Sequence, residues 1–83
     1  MYYGNYPMYP QNQQRITAQQ AEQIALGTIP GQVMHVDLDM DNGILKYEIF
    51  IMTPDNRVFE VEINARNGQI LKIEQEDSYN GWD

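Results

Sequence analysis

The stretch that decides the fold is QVMHVDLDMDNGILKYEIFIMT, residues 32–53. From Met34 to Met40 every second residue is apolar, and the residues between them are His35, Asp37 and Asp39. Alternation with period two is typical of a strand with one buried side and one solvent-facing side. DNG at 41–43 is a tight-turn signal, and the same alternation resumes after it. The stretch therefore predicts an antiparallel hairpin, whose first strand presents Met34, Val36, Leu38 and Met40 on one face.

Two more strands follow along the chain. TPDN at 53–56 is a turn sequence, and RVFEVEIN at 57–64 alternates again. ARNG at 65–68 is a third turn, and QILKIEQ at 69–75 is a fourth strand. The region after residue 31 therefore predicts a meander of four antiparallel strands.

A short helix precedes the meander, within ITAQQAEQIALGTIPG at 16–31. Thr17 and Gln20 have the spacing of a capping box, and Pro30–Gly31 ends the element. The helical face predicted to pack inward is Ala21, Ile24, Ala25 and Thr28. This apolar stripe is small, so we expect the helix to lie on the sheet.

The predicted fold class is α+β, with one N-terminal helix packed on a four-stranded antiparallel β-meander. At 83 residues the chain forms one domain at most. We predict a disordered leader rich in Tyr, Pro, Asn and Gln at 1–14, a folded domain at 15–75 and an acidic tail at 76–83. The core residues predicted to face the helix are Leu38, Tyr47, Ile49, Ile51, Phe59, Val61, Ile63 and Leu71. The opposite face is predicted to be acidic, with apolar residues at Phe50, Met52, Val58 and Ile70.

Charge and composition exclude several partners. The net charge is −7, so phosphate backbones and anionic membrane surfaces repel the chain. No apolar run reaches the roughly 18 residues that a membrane span requires. The chain contains no cysteine, which excludes disulfides and thiolate chemistry.

The hairpin nearly matches a calcium-binding loop, with Asp37, Asp39, Asp41 and Glu48 as the candidate ligands. Two features favour a solvated strand face instead. The glycine comes one position late, and strands rather than helices flank the loop. Aspartates at every second strand position are also about 6.6–6.8 Å apart, too far to enclose one ion by themselves. We therefore predict no tight metal site, and weak cation binding remains an alternative.

Catalytic chemistry is not predicted. His35 is the only histidine, and Ser78, the only serine, lies in the acidic tail. One histidine without cysteine is a poor metal-ligand set, and no nucleophile–base set can be assembled. No phosphate-binding glycine loop is present, so no cofactor is expected.

One set of residues follows the sequence pattern of a known family. The set is most specific in INARNGQIL at 63–71, and it includes Tyr47–Glu48. Its other members are Ile16, Thr17, Ala21, Ile24, Ala25, Pro30, Gly31, Val33, Val36, Leu38, Gly43, Phe59 and Val61. With this set, residues 15–75 closely resemble a PepSY domain. PepSY domains occur in propeptides of thermolysin-like metallopeptidases and in the YPEB germination protein. The resemblance implies a non-enzymatic module that binds and restrains a peptidase.

The partner-binding residues we predict are Phe50, Met52, Val58, Glu60 and Glu62. The partner is a peptidase or another protein, and a homodimer through a strand edge is a further possibility. The Tyr-rich leader motivates an alternative, a self-associating spore or cell-surface protein. The family is usually exported or membrane-bound, whereas residues 1–14 lack the features of a signal peptide. A complete chain would be cytoplasmic or spore-associated, so the compartment stays open.

Overall fold

The computed structural model describes residues 15–76, which form one helix and four strands. The elements are α1 (Ala18–Thr28), β1 (Gln32–Asp41), β2 (Ile44–Met52), β3 (Val58–Asn64) and β4 (Ile70–Glu76). The strands pair antiparallel in chain order, β1-β2-β3-β4. The predicted α+β meander is therefore confirmed. The predictions for the leader, for most of the acidic tail and for Ser78 concern residues outside the described part of the chain.

Helix α1 begins with the predicted capping box. The Thr17 hydroxyl accepts the Gln20 backbone N–H at 3.0 Å, and the Gln20 side chain accepts the Thr17 N–H at 2.8 Å. These two bonds satisfy backbone donors that the first helical turn leaves without partners. The buried face consists of Ala21, Ile24 and Ala25. Thr28 was predicted on this face but is exposed, because the helix ends there and the chain turns away into extended backbone.

The turn between β1 and β2 follows the DNG signal. Asn42 has φ 53° and Gly43 has φ 80°, so both central residues are left-handed. A two-residue turn of this kind matches the twist of the strands that it joins. It fixes the pairing that places Asp37 opposite Glu48 and Asp39 opposite Lys46.

The core lies between α1 and the face of the sheet that we call the inner face. The helix packs on β1, β2 and β3. A helix is about 10 Å wide, whereas four strands span about 14 Å, so part of the inner face stays uncovered. Leu38 was predicted in the core but is 41% exposed on edge strand β1. Phe59 is half-buried, and the buried cluster contains Ile16, Ala21, Ile24, Ala25, Tyr47, Ile49, Ile51, Val61, Ile63 and Ala65.

Two register shifts change which side chains face the helix. A shift between Val33 and His35 places Val33 against the core, and Met34 is exposed. A second shift pairs Ile70 with Ile63, so Ile70 also packs against the core. Ile70 had been predicted on the opposite face, and Leu71, predicted in the core, is 40% exposed. The wrong predictions in β1 and in β4 have the same cause, because one extra residue in a strand reverses the alternation of side chains.

An acidic sheet face as the candidate binding site

The sheet face turned away from α1, which we call the outer face, carries most of the charge of the protein. Antiparallel pairing gathers onto it alternate residues of all four strands. Eight carboxylates and two ammonium groups give this face a formal charge of −6, against −7 for the whole chain. Its ionisable members, apart from His35, are Asp37, Asp39, Asp41, Lys46, Glu48, Glu60, Glu62, Lys72, Glu74 and Glu76.

Lys46 and Glu62 form the ionic centre of the outer face. Lys46 Nζ donates to Glu62 Oε1 at 3.0 Å, and the two side chains are only 13% and 10% exposed. Lys46 also lies 3.6 Å from Asp41 and 3.9 Å from Glu48, and Lys72 reaches Glu62 at 3.6 Å. The hydrogen bond to Glu62 raises the pKa of Lys46. Burial acts to raise the pKa of Glu62, but its hydrogen bonds and the neighbouring ammonium groups outweigh burial and lower it.

Glu60 and Glu62 occupy neighbouring outward positions of β3, with carboxylate oxygens within 4.8 Å of each other. Burial, followed by the hydrogen bond and negative charge of Glu62, raises the pKa of Glu60 to about 7. Because Glu62 is held ionised by lysines, Glu60 is the member of the pair that takes the proton. The outer face therefore contains a carboxyl group that titrates close to neutral pH.

Glu48 joins this pair from β2. It lies opposite Glu62 in the register, and oxygens of Glu48, Glu60 and Glu62 lie within 4.8 Å of one another. Burial, with the nearby charge of Asp39, raises the pKa of Glu48. Within residues 15–76 the other carboxylate group of this kind is Glu60, Glu74 and Glu76. Of the four candidate calcium ligands, only Glu48 belongs to either group.

The three aspartates of the suspected calcium loop lie along β1. Asp37 is opposite Glu48 and contacts His35, whose Nε2 is 2.9 Å from Asp37 Oδ2. Asp39 is opposite Lys46, and Asp41 is paired with the same lysine. Both flanks of the loop are strands, so the geometry of a helix–loop–helix calcium site does not form. His35 is exposed, and its ring lies 6.0 Å from that of Phe50.

The predicted partner-binding residues all lie on the outer face, with different accessibility. Phe50 and Met52 on β2 are half-buried, as is Glu60. Val58 is only 5% exposed, and Glu62 is also buried. An approaching molecule could thus touch Phe50, Met52 and Glu60 directly, whereas Val58 and Glu62 lie beneath their neighbours.

The outer-face residues of β4 were missed by the sequence reasoning. Lys72 lies opposite Glu62, and Glu74 lies opposite Glu60. Lys72 Nζ is 2.9 Å from Glu74 Oε1. The available signal was the spacing of Lys72, Glu74 and Glu76 at every second position, the period of one strand face.

Within residues 15–76, helix α1 is too short to cross a membrane.

Comparison with known proteins places this arrangement in a family. The model of the peptidase propeptide and YPEB domain (PepSY) matches residues 15–74. The uncharacterized protein YkoJ of Bacillus subtilis is 42% identical over 62 residues, which are 75% of this chain and 36% of YkoJ. The uncharacterized membrane protein YkoI of the same organism is 36% identical over 62 residues, covering 75% of this chain and 27% of YkoI.

A solved structure has the same fold. The crystal structure of a putative lipoprotein from Clostridium difficile superposes with a TM-score of 0.71 at 33% identity. The match covers 81% of this chain and 43% of the lipoprotein. This chain thus spans less than half the length of each of these three proteins. The chain belongs to the peptidase propeptide and YPEB domain family, PepSY.

Proposed function

We propose that this protein is a non-enzymatic binding module that restrains or regulates a peptidase by direct contact through its outer face. The family description, which joins peptidase propeptides with the YPEB protein, supports a regulatory protein contact. A module that acts by contact requires an accessible surface and no catalytic group of its own. The two Bacillus relatives are uncharacterized, so the identity of the peptidase is a matter for experiment.

The observation that carries the proposal is the composition of the outer face. Phe50 and Met52 form a half-buried apolar strip, and the outer-face carboxylates lie beside its Phe50 end, on all four strands. A patch with an apolar centre and a charged rim is the usual anatomy of a protein–protein interface. The strong negative potential favours a partner surface rich in Lys and Arg and speeds encounter with it.

The experiment is a binding and inhibition assay against a panel of bacterial metallopeptidases. We expect at least one enzyme to bind, with an association rate that falls as NaCl rises from 50 to 500 mM, because salt screens the charges. Phe50→Ala should weaken binding about tenfold or more, as for an aromatic anchor. Lack of binding and inhibition across the panel would count against the proposal.

A test variant and one matched control separate the outer face from general effects. Met52→Ala removes a methionine of the apolar strip, whereas Met40→Ala removes an exposed methionine from the inner face of edge strand β1. Only the first substitution should weaken peptidase binding. Equal losses for both variants would mean that the contact does not use the outer face.

A further inference from the structure

The sheet has two open edges within residues 15–76, namely β1 and β4. Each edge strand pairs with one neighbour only, so half of its backbone N–H and C=O groups point away from the sheet. Such an edge can accept another strand, and proteins usually protect it with charge, irregularity or a covering segment. The two edges of this sheet differ sharply in how well they could accept a second copy of themselves.

Strand β1 is protected against self-pairing. Asp37, Asp39 and Asp41 occupy alternate outer-face positions along it. In an antiparallel pair of β1 strands these aspartates would lie opposite one another, with Cβ atoms roughly 5 Å apart. Like charges directly opposite are destabilising. Both edge strands contain a register shift, between Val33 and His35 in β1 and between Ile70 and Lys72 in β4, so the charge pattern is what distinguishes the two edges.

Strand β4 is complementary to itself. When Ile73 pairs with Ile73 of a second copy in antiparallel orientation, Lys72 of each copy lies opposite Glu74 of the other. The two charged positions share the outer face, so both cross-strand pairs join opposite charges. Ile73, which is 44% exposed on the inner face, would pack against its counterpart on the two-fold axis.

We propose that the protein forms a two-fold symmetric dimer by antiparallel pairing of β4 with β4, centred on Ile73. The backbone ladder and the paired isoleucines supply the attraction. The Lys72–Glu74 pairs mainly fix the register, because both side chains are about half exposed and exposed ion pairs contribute little free energy. The interface uses the same strand from both copies, so it closes on itself and does not propagate into filaments.

This dimer goes beyond the proposed peptidase contact and leaves it accessible. A two-fold axis perpendicular to the sheet keeps both outer faces on the same side of one continuous sheet. Two copies of the acidic face would then act together on a partner with two basic sites, which raises the apparent affinity. The dimer can be tested with the chain alone, so its failure is distinguishable from failure of the peptidase proposal.

The test is sedimentation velocity of the full chain over a range of concentrations. We expect a reversible monomer–dimer equilibrium. Lys72→Glu and Glu74→Lys should each weaken dimerisation about tenfold, because each places like charges opposite one another twice. An equimolar mixture of the two variants should restore the dimer, since in the mixed pair both cross-strand contacts again join opposite charges.

The matched control is Glu22→Lys, which changes the net charge as much as Glu74→Lys does but lies on helix α1 and not on an edge strand. It should leave the dissociation constant unchanged. Circular dichroism checks that each variant is folded, and Ile73→Lys replaces Lys72→Glu if that variant unfolds. Two lysines would then meet on the two-fold axis, and the dimer should be lost.

Several outcomes would overturn the proposal. They are a monomer at all concentrations, a dimer that the charge variants do not weaken, or a mixture that does not recover. Hydrogen exchange adds a further criterion. If the β4 amides that point away from β3 are protected in a chain that stays monomeric on dilution, a segment of the same chain covers the edge instead of a second copy.

Discussion

The Tyr47 hydroxyl donates a hydrogen bond of 2.8 Å to the carbonyl oxygen of Ile16, 31 positions earlier in the chain. Both residues are buried. Ile16 also donates its backbone N–H to the Ala65 carbonyl at 2.7 Å, and Ala65 donates to the Leu45 carbonyl at 2.8 Å. The segment leading into α1 is thereby attached to the start of β2 and the end of β3.

Replacement of Tyr47 by Phe should destabilise the protein by about 1–3 kcal/mol, because the buried carbonyl of Ile16 loses its side-chain donor while the aromatic ring is kept. Urea unfolding followed by circular dichroism measures the effect. The control is Phe50→Tyr on the outer face, which adds a hydroxyl at a half-buried position and should change stability little. An unchanged midpoint for Tyr47→Phe would show that the hydrogen bond contributes nothing.

Glycine is required at position 31 but not at position 27. A Cβ atom on Gly31 would lie 2.3 Å from the Met52 carbonyl oxygen and 2.8 Å from Ile51 Cγ2, whereas one on Gly27 meets nothing within 4 Å. Gly31→Ala should therefore cost about 1–3 kcal/mol. Gly27→Ala should stabilise helix α1 by about 0.5–1 kcal/mol, since Ala has the higher helix propensity. Thermal unfolding of both variants checks the contrast, and equal shifts would contradict it.

The stability of the protein should fall as pH rises from about 5 to 8. The pKa of Glu60 is raised from 4.5 to about 7 in the folded state. Between those values the folded protein keeps a proton that the unfolded chain has released, so increasing pH favours unfolding. We expect a loss on the order of 1 kcal/mol after allowance for solvent screening.

Glu60→Gln should remove most of this pH dependence and make the protein more stable at pH 8. Thermal midpoints measured at half-unit steps of pH give the slope. Glu22→Gln, on helix α1 and off the outer face, is the matched control and should keep the slope. If the Glu60 variant retains the parent slope, the proton is held elsewhere.

Replacement of Lys46 by Met should lower the thermal midpoint at pH 7 and have little effect at pH 2–3. The reason is that Lys46 stabilises the ionised form of Glu62, whose pKa is lowered in the folded state. That stabilisation is present above the unfolded pKa of Glu62 and is lost as pH falls through the folded one.

Lys72→Met provides the comparison for Lys46→Met. Lys72 lies farther from Glu62, at 3.6 Å rather than 3.0 Å, and is more exposed. Its replacement should therefore have the smaller effect at pH 7. A deficit of Lys46→Met that persists unchanged at low pH would mean that the lysine contributes through packing of its aliphatic stem and not through charge.

Prediction from the sequence succeeded where a local rule acts alone. Thr17 and Gln20 form the capping box that their spacing predicted. The DNG sequence forms the predicted turn, with left-handed backbone at Asn42 and Gly43. Prediction failed where one extra residue entered a strand. Met34 and Leu71 are apolar, like the residues of the core. The register shifts turn Val33 toward the core in place of Met34, and Ile70 in place of Leu71.

The candidate site, too, could be predicted only in part from the sequence. Alternation predicted Phe50, Met52 and Glu60 on the sheet face turned away from the helix, and in the structure they lie on that face. It did not indicate that Glu48 from β2 would meet Glu60 and Glu62 from β3, because that contact depends on pairing between strands. The raised pKa of Glu60 depends on the same neighbours and on burial.

The sequence by itself determined the helix, the four strands, their antiparallel order and the acidic character of one face. Those properties follow from interactions between residues a few positions apart, which periodicity and turn chemistry describe. Only the tertiary structure decided which apolar side chains are buried and which carboxyl group has a raised pKa. These depend on the register of strands distant in the chain and on how much of the sheet one short helix covers, and no local pattern encodes either.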